Sequence, residues 1–155
     1  MNNLFKGSGF LGTNAPLISD VSLILILVTA GLFTIGWRLA VRKRHESHRW
    51  VQTSAVILNT TVVLITMISS FVIFILPGIP EKLGEGSYGI TTIHALVGLV
   101  SMLLGVYLVL GGNGLLPKRL RYTNYKLWMR TSYVLYMLAT LMGVVIYIVV
   151  FVYGV

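Results

Sequence analysis

Four long apolar runs dominate this sequence, and each is near the length needed to cross a lipid bilayer. A helix needs about 20 apolar residues to bridge the hydrocarbon core. Runs of that length occupy about 17–41, 51–76, 88–111 and 131–153. Lipid offers no partners to unpaired backbone groups, so each run must be a helix. We predict an all-α membrane protein: a four-transmembrane-helix bundle over residues 17–155, preceded by an extramembrane segment, residues 1–16.

Composition supports the membrane prediction and excludes several other classes. The chain is 56% hydrophobic and 10% charged, whereas about a quarter of the residues in a soluble domain are charged. The net charge of +8 lies in two short clusters beside apolar runs rather than on one face of a soluble domain, so no nucleic-acid partner is expected. Because the chain has no cysteine, disulfides, thiolate metal sites and thiol catalysis are excluded.

The basic residues predict the orientation of the spans. Ten of the twelve lie in the connections between spans one and two and between spans three and four: Arg38, Arg42, Lys43, Arg44, Arg49, Lys118, Arg119, Arg121, Lys126 and Arg130. The other side carries only Lys6 and Lys82. By the positive-inside rule, the basic loops are expected in the cytoplasm, with both termini and the 77–89 loop outside.

The same boundary is expected to contact lipid headgroups. All three tryptophans fall there, and indole rings prefer the headgroup layer. The residues predicted to contact lipid are Arg42, Arg49, Lys118, Arg121, Trp37, Trp50 and Trp128. The segment 112–130 is predicted to be a solvated anchoring loop, with an interfacial segment as the alternative.

Histidines are the candidate ligand-binding residues. His94 lies about two turns into the third span, where a polar ring needs a partner or a function. It could bind haem iron or copper, relay protons, or simply hydrogen-bond to Thr91 or Thr66. His48 lies at the inner mouth of the second span, too far from His94 to share one metal ion. His45 is expected to be solvated. His45 and His48 are both expected in a short hinge, although their i, i+3 spacing would also suit one helical face.

The remaining polar residues indicate structure rather than catalysis. Asp20 is expected to cap the first helix, and Asn59 to hydrogen-bond across helices. Small residues four positions apart, Ser101 with Gly105 and Ala139 with Gly143, favour close helix packing. No catalytic motif or carboxylate pair occurs inside a span, so we do not expect an enzyme.

Several short motifs resemble a known family. His48-Arg49 opens the second span, Thr92 to Ala95 reads TIHA, and Arg130 precedes Gly143 and Tyr147 in the fourth span. Together with the stretches 9–20 and 125–130, these resemble the domain-of-unknown-function 420 family. Its members are small four-helix prokaryotic membrane proteins linked to cytochrome oxidase assembly.

The resemblance implies two histidine levels that could hold haem b or copper. It pairs His48 with Tyr125, where family members carry a histidine, and leaves His94 without a clear partner. Half of each histidine pair is therefore missing, which weakens the expectation of a bound cofactor.

Three functions follow as hypotheses. The first is a non-catalytic accessory or assembly subunit of a respiratory or photosynthetic electron-transfer complex in the prokaryotic plasma membrane, with lipids and other membrane subunits as partners. The second is a b-type haem or copper protein that uses His94, His48 or both. The third is a lipid- or quinone-binding module that uses the cationic loops.

Overall fold

Four long helices form the protein. The computed structural model describes residues 7–120 and 122–154; the predictions that fall on residues 1–6 and on Arg121 lie outside them. The helices are α1 (Leu17–Val41), α2 (His45–Gly78), α3 (Gly86–Gly112) and α4 (Tyr125–Val152), and each is long and apolar enough to cross a membrane. Within the described ranges there is no strand beyond an isolated bridge between Ser8 and Pro16. The prediction of an all-helical fold with four candidate spans is confirmed.

The helices form a closed ring, because α1 packs on α2, α2 on α3, α3 on α4 and α4 on α1. One end carries the 42–44 turn and the 113–124 connection, and we call it the basic end. The other carries the segment before α1, the 79–85 loop and the end of α4, and we call it the terminal end. Which end faces the cytoplasm stays a prediction.

Polarity in the bundle is reversed relative to a soluble protein. Large apolar side chains such as Ile57, Leu103 and Leu141 are exposed on the outside. The buried polar and charged residues are Asp20, Thr29, His48, Gln52, Asn59, Thr66 and Ser101. A lipid solvent favours this arrangement, since the exterior has no water and polar groups must find partners inside.

Two helices begin earlier than the apolar runs do. Helix α2 begins at His45, so the expectation of a hinge around His45 and His48 is wrong: only residues 42–44 connect α1 to α2. Helix α4 begins at Tyr125, where the Asn124 side chain accepts a hydrogen bond from the Leu127 backbone N–H at 3.3 Å. Its first turns therefore lie inside the segment predicted to be an anchoring loop. Both starts are polar, and hydropathy alone does not detect them.

The segment before α1 folds back onto the chain's own helices. The Asn14 N–H donates to the Phe151 carbonyl at 3.2 Å, and the Leu17 N–H donates to the Gly7 carbonyl at 3.0 Å. We call residues 7–16 the strap. It connects the start of α1 with the end of α4 at the terminal end.

Asp20 holds the strap in place rather than capping α1. Its carboxylate is fully buried and accepts the backbone N–H groups of Phe10 at 2.7 Å and Leu11 at 2.8 Å, both outside the helix. The Tyr147 hydroxyl donates to the other carboxylate oxygen, and Thr13 Oγ1 lies 2.8 Å from that hydroxyl. The prediction that Asp20 caps the first helix is wrong, because the backbone groups it binds belong to the strap.

We expect Tyr147→Phe to loosen the strap, because it removes a donor from a buried carboxylate. A hydrogen bond to a charged group contributes about 1.5–3 kcal/mol, so the free energy of unfolding should fall by about that amount. Amide hydrogen exchange over residues 7–16 should quicken. Tyr153→Phe is the control, since that side chain is 74% exposed. Equal exchange in the two variants would contradict the role given to Asp20.

Candidate functional site

The short turn between α1 and α2 brings the end of one helix against the start of the other. Lys43 in this turn has a left-handed φ of 59°, which helps the chain to reverse within three residues. Gly36 of α1 then lies against Gln52 of α2, where an added Cβ would lie 2.6 Å from Nε2 of Gln52. The absence of a side chain at position 36 therefore permits the close approach of the two helices.

Both ring nitrogens of His48 are engaged. Nδ1 lies 2.7 Å from the Gly36 carbonyl oxygen, and Nε2 lies 3.3 Å from the Tyr125 hydroxyl. A carbonyl only accepts hydrogen bonds, so Nδ1 carries the proton. In the neutral ring, Nε2 then accepts from the Tyr125 O–H. The structure thus brings together His48 and Tyr125, the residues that the family resemblance paired.

A cleft of about 620 Å³ adjoins this pair. Along α2 its lining extends from His45 to Val56, which corresponds to about 16 Å at 1.5 Å per residue. The exposed residues His45, Glu46, Arg49 and Asn113 lie at its mouth, so it opens at the basic end. This volume suits a small organic ligand, since such sites occupy about 300–1,000 Å³.

Helix α3 contributes two glycines as well as Leu108 and Val109 to the wall of the cleft. Gly105 and Gly112 form part of the α3 wall, and an added Cβ at Gly105 would find Val56 Cγ2 at an ordinary 3.5 Å. Phe33, Tyr133 and Tyr136 supply aromatic walls. The pattern of a few polar groups among mostly apolar and aromatic walls is typical of ligand sites.

The polar groups of the cleft are mainly uncharged hydrogen-bonding groups. They are the side chains of His48, Gln52, Thr53, Asn113, Ser132 and Tyr125, with Arg49 and Glu46 near the mouth. Gln52 donates weakly to the Phe33 carbonyl at 3.4 Å, and Asn113 donates to Thr53 Oγ1 at 3.1 Å. This set suits a ligand with carbonyl or similar acceptors rather than a free ion.

His94 lies in a different place, at the centre of the bundle. It borders a small cavity together with Asn59. Asn59 is eleven positions beyond His48 on α2, or about 16 Å along the axis. The His94 ring packs against Gly143 of α4, where an added Cβ would be 3.2 Å from Cε1 of His94. The two histidines are therefore at separate levels and do not form one site.

The hydroxyls expected to partner His94 are engaged elsewhere. Thr91 Oγ1 donates to the Ser87 carbonyl at 2.8 Å, and Thr66 Oγ1 donates to the Val62 carbonyl at 2.7 Å. Nδ1 of His94 is buried without a hydrogen-bond partner among the described residues. The interpretation of His94 as a hydroxyl-paired packing residue is therefore wrong for that nitrogen.

The donor set does not fit a metal ion held by side chains alone. Across residues 7–120 and 122–154, no three His, Cys, Asp or Glu side chains are grouped for a metal. A haem iron at His48 would have to displace the Tyr125 hydroxyl from Nε2, and no second histidine faces it, since His45 is a turn earlier on the same helix. The described residues do not fit a bis-histidine haem at either level.

The predicted headgroup contacts lie at the basic end. Trp37, Trp50 and Trp128 are exposed, as are Arg42, Arg49 and Lys118. The Arg49 guanidinium lies 5.7 Å from the centre of the Trp50 ring, and the Trp37 ring packs on Tyr133 at 4.9 Å. Contact of these residues with lipid stays a prediction, and Arg121 lies outside the described residues.

No protein family, curated protein or solved structure matches this chain. The resemblance to the domain-of-unknown-function 420 family therefore stays a prediction.

We expect His48 and Tyr125 to be energetically coupled. In a double-mutant cycle with His48→Ala and Tyr125→Phe, the coupling free energy should be about 0.5–1.5 kcal/mol, the usual net value of one hydrogen bond. Unfolding of the four proteins in mixed micelles measures it. The cycle of His48→Ala with Tyr153→Phe is the control and should give a value near zero. Equal couplings in the two cycles would show that the pair does not interact.

Proposed function

We propose that this chain is a non-catalytic multi-pass membrane protein that binds a quinone in the cleft at its basic end. The observation that carries the proposal is the cleft itself: about 620 Å³, walled by aromatic rings and glycines, with the His48–Tyr125 pair on its side. A quinone has a flat conjugated ring and two carbonyl acceptors. The aromatic walls suit the ring, and the Ser132 hydroxyl and the second amide proton of Gln52 supply donors of the required kind.

The depth and openness of the cleft also suit an amphipathic molecule. Its mouth is polar, whereas Phe33, Val56 and Leu108 line the deeper part. A polar head can therefore lie near the basic end while apolar parts of the ligand contact the interior. A charged headgroup gains little there, because Glu46 and Arg49 carry opposite charges at the mouth.

Quinones carry electrons between membrane complexes, which connects this proposal with the first hypothesis from the sequence. We propose that the chain serves a respiratory or photosynthetic complex in the prokaryotic plasma membrane as an accessory component. The support for this wider role is the family resemblance and the small share of the chain outside the four spans. Co-purification of electron-transfer subunits on a native gel tests it separately from ligand binding.

We expect Gly105→Leu to weaken ligand binding, because the new side chain would reduce the volume of the cleft at its α3 wall. Native mass spectrometry of the protein released from nanodiscs should show a bound quinone for the original chain. In the variant, occupancy should fall at least tenfold, or about 1.4 kcal/mol. Gly31→Leu is the matched control, since Gly31 is an exposed helical glycine with open space around it.

Other outcomes of the same experiment would contradict the proposal. A Soret band that disappears in His48→Ala would identify haem as the ligand. Phospholipid as the only bound species would identify a lipid site. Loss of quinone in Gly31→Leu to the same extent as in Gly105→Leu would show that the cleft is not where the quinone binds.

The proposed orientation has its own test, because a chain without cysteine allows single-cysteine labelling. Lys82→Cys and Lys118→Cys place one thiol in an exposed position at each end of the bundle. With the basic loops in the cytoplasm, an impermeant maleimide should label Lys82→Cys in intact cells and Lys118→Cys only after lysis. The reverse pattern would overturn the proposed orientation.

A further inference from the structure

A second, smaller cavity lies in the centre of the bundle, and the cleft does not account for it. Its volume is about 30 Å³, and its polar lining consists of His94, Asn59, Ser101, Tyr136 and Thr140. Apolar lining residues come from α1 and α2, among them Ile26 and Met67. All four helices therefore contribute to this one small space.

Two polar atoms at this cavity have no partner. Nδ1 of His94 and Oγ of Ser101 are fully buried, yet neither has a hydrogen bond among the described residues. Ser101 is only 4% exposed. Leaving a buried polar group unpaired is unfavourable, so two such groups at one cavity favour the binding of a small polar molecule there.

The size of the cavity suits water. Its volume of about 30 Å³ exceeds the roughly 10–15 Å³ that one water molecule requires, and a buried water needs two to four polar neighbours. His94, Ser101, Asn59 and Thr140 supply them. Helix α2 is π-helical over Val63–Met67, and both of these residues border the cavity. Such widened turns are frequent at functional sites.

The small cavity lies one helical turn beyond the floor of the cleft. On α3 the lining passes from Gly105 in the cleft to Ser101 in the cavity, and on α2 it passes from Val56 to Asn59. Tyr136 of α4 lines both spaces, and its hydroxyl donates to the Ile26 carbonyl at 3.2 Å. The Tyr136 side chain therefore lies between the cleft and the small cavity.

We propose that water in the small cavity hydrogen-bonds to Nδ1 of His94 and to Oγ of Ser101, and that this water exchanges with the cleft past Tyr136. The two residues are seven positions apart on α3, about 10.5 Å along the axis, so at least two linked water molecules are needed to connect them. His94 then becomes a proton-exchanging residue that is reached from the basic end. The inference goes beyond ligand binding and does not depend on which molecule occupies the cleft.

Solid-state NMR of the full chain in lipid bilayers, labelled with ¹⁵N-histidine, tests the water site. Magnetisation transferred from water should reach the ring nitrogens of His94, which His94→Gln assigns by removing their signals. Ser101→Ala should shift the His94 signals and leave those of His48 unchanged, because it removes one partner of the water. Absence of water transfer at His94, or an unchanged His94 signal in Ser101→Ala, would overturn the proposal.

The route to the water is tested with the variants that fill the cleft. Gly105→Leu should slow the exchange of water with His94 at least tenfold, whereas Gly31→Leu should leave it unchanged. Gly105→Val is a smaller filling for the same test if Gly105→Leu does not fold. A shifted His48 signal shows that the Gly105 variant is folded and that its cleft has changed. If water then exchanges with His94 at the original rate, access from the cleft is overturned, even where quinone binding is lost.

Discussion

The inability of lipid to hydrogen-bond with polar groups is the constraint on which the rest of this structure depends. Each backbone group must be satisfied within a helix, and polar side chains in a span favour partners within the protein over contact with lipid. The buried polar residues therefore collect around the axis, while leucine and isoleucine side chains face outward. Charged side chains are exposed mainly at the two ends of the bundle, among them Arg42, Lys82 and Lys118.

The two ends of the bundle satisfy this constraint in different ways. At the terminal end, Asp20 receives three hydrogen bonds from the strap and from Tyr147, so a buried carboxylate becomes a structural clamp. At the basic end, His48 is held by a backbone carbonyl and a tyrosine hydroxyl beside an open cleft. Both groups are fully hydrogen-bonded, but Asp20 lies against packed chain, whereas His48 borders the open cleft.

The sequence was enough to predict the four spans, since hydropathy over about 20 residues reports directly on a lipid solvent. The starts of α2 and α4 were missed because His45 and Tyr125 begin helices in polar sequence. Asn124 caps α4, whereas the start of α2 has no side-chain cap and is held by contacts such as that of His48 with Gly36. The role of Asp20 was missed for a related reason: its partners, Phe10 and Leu11, are distant backbone groups that no side-chain pattern reveals. His48 beside Tyr125 agreed with the pairing implied by the family resemblance.

The cleft could not be predicted, although the residues that create it were visible. The spacing of Ser101 and Gly105 favoured close helix packing, and Gly143 does lie against His94. The same small residues on α3 also border open space: Gly105 packs near Val56 but lines the cleft as well, and Ser101 has an unpaired hydroxyl at the cavity. A small residue in a membrane helix leaves space beside the helix but does not determine what fills it. Whether a neighbouring helix or a ligand then occupies that volume depends on packing across all four helices.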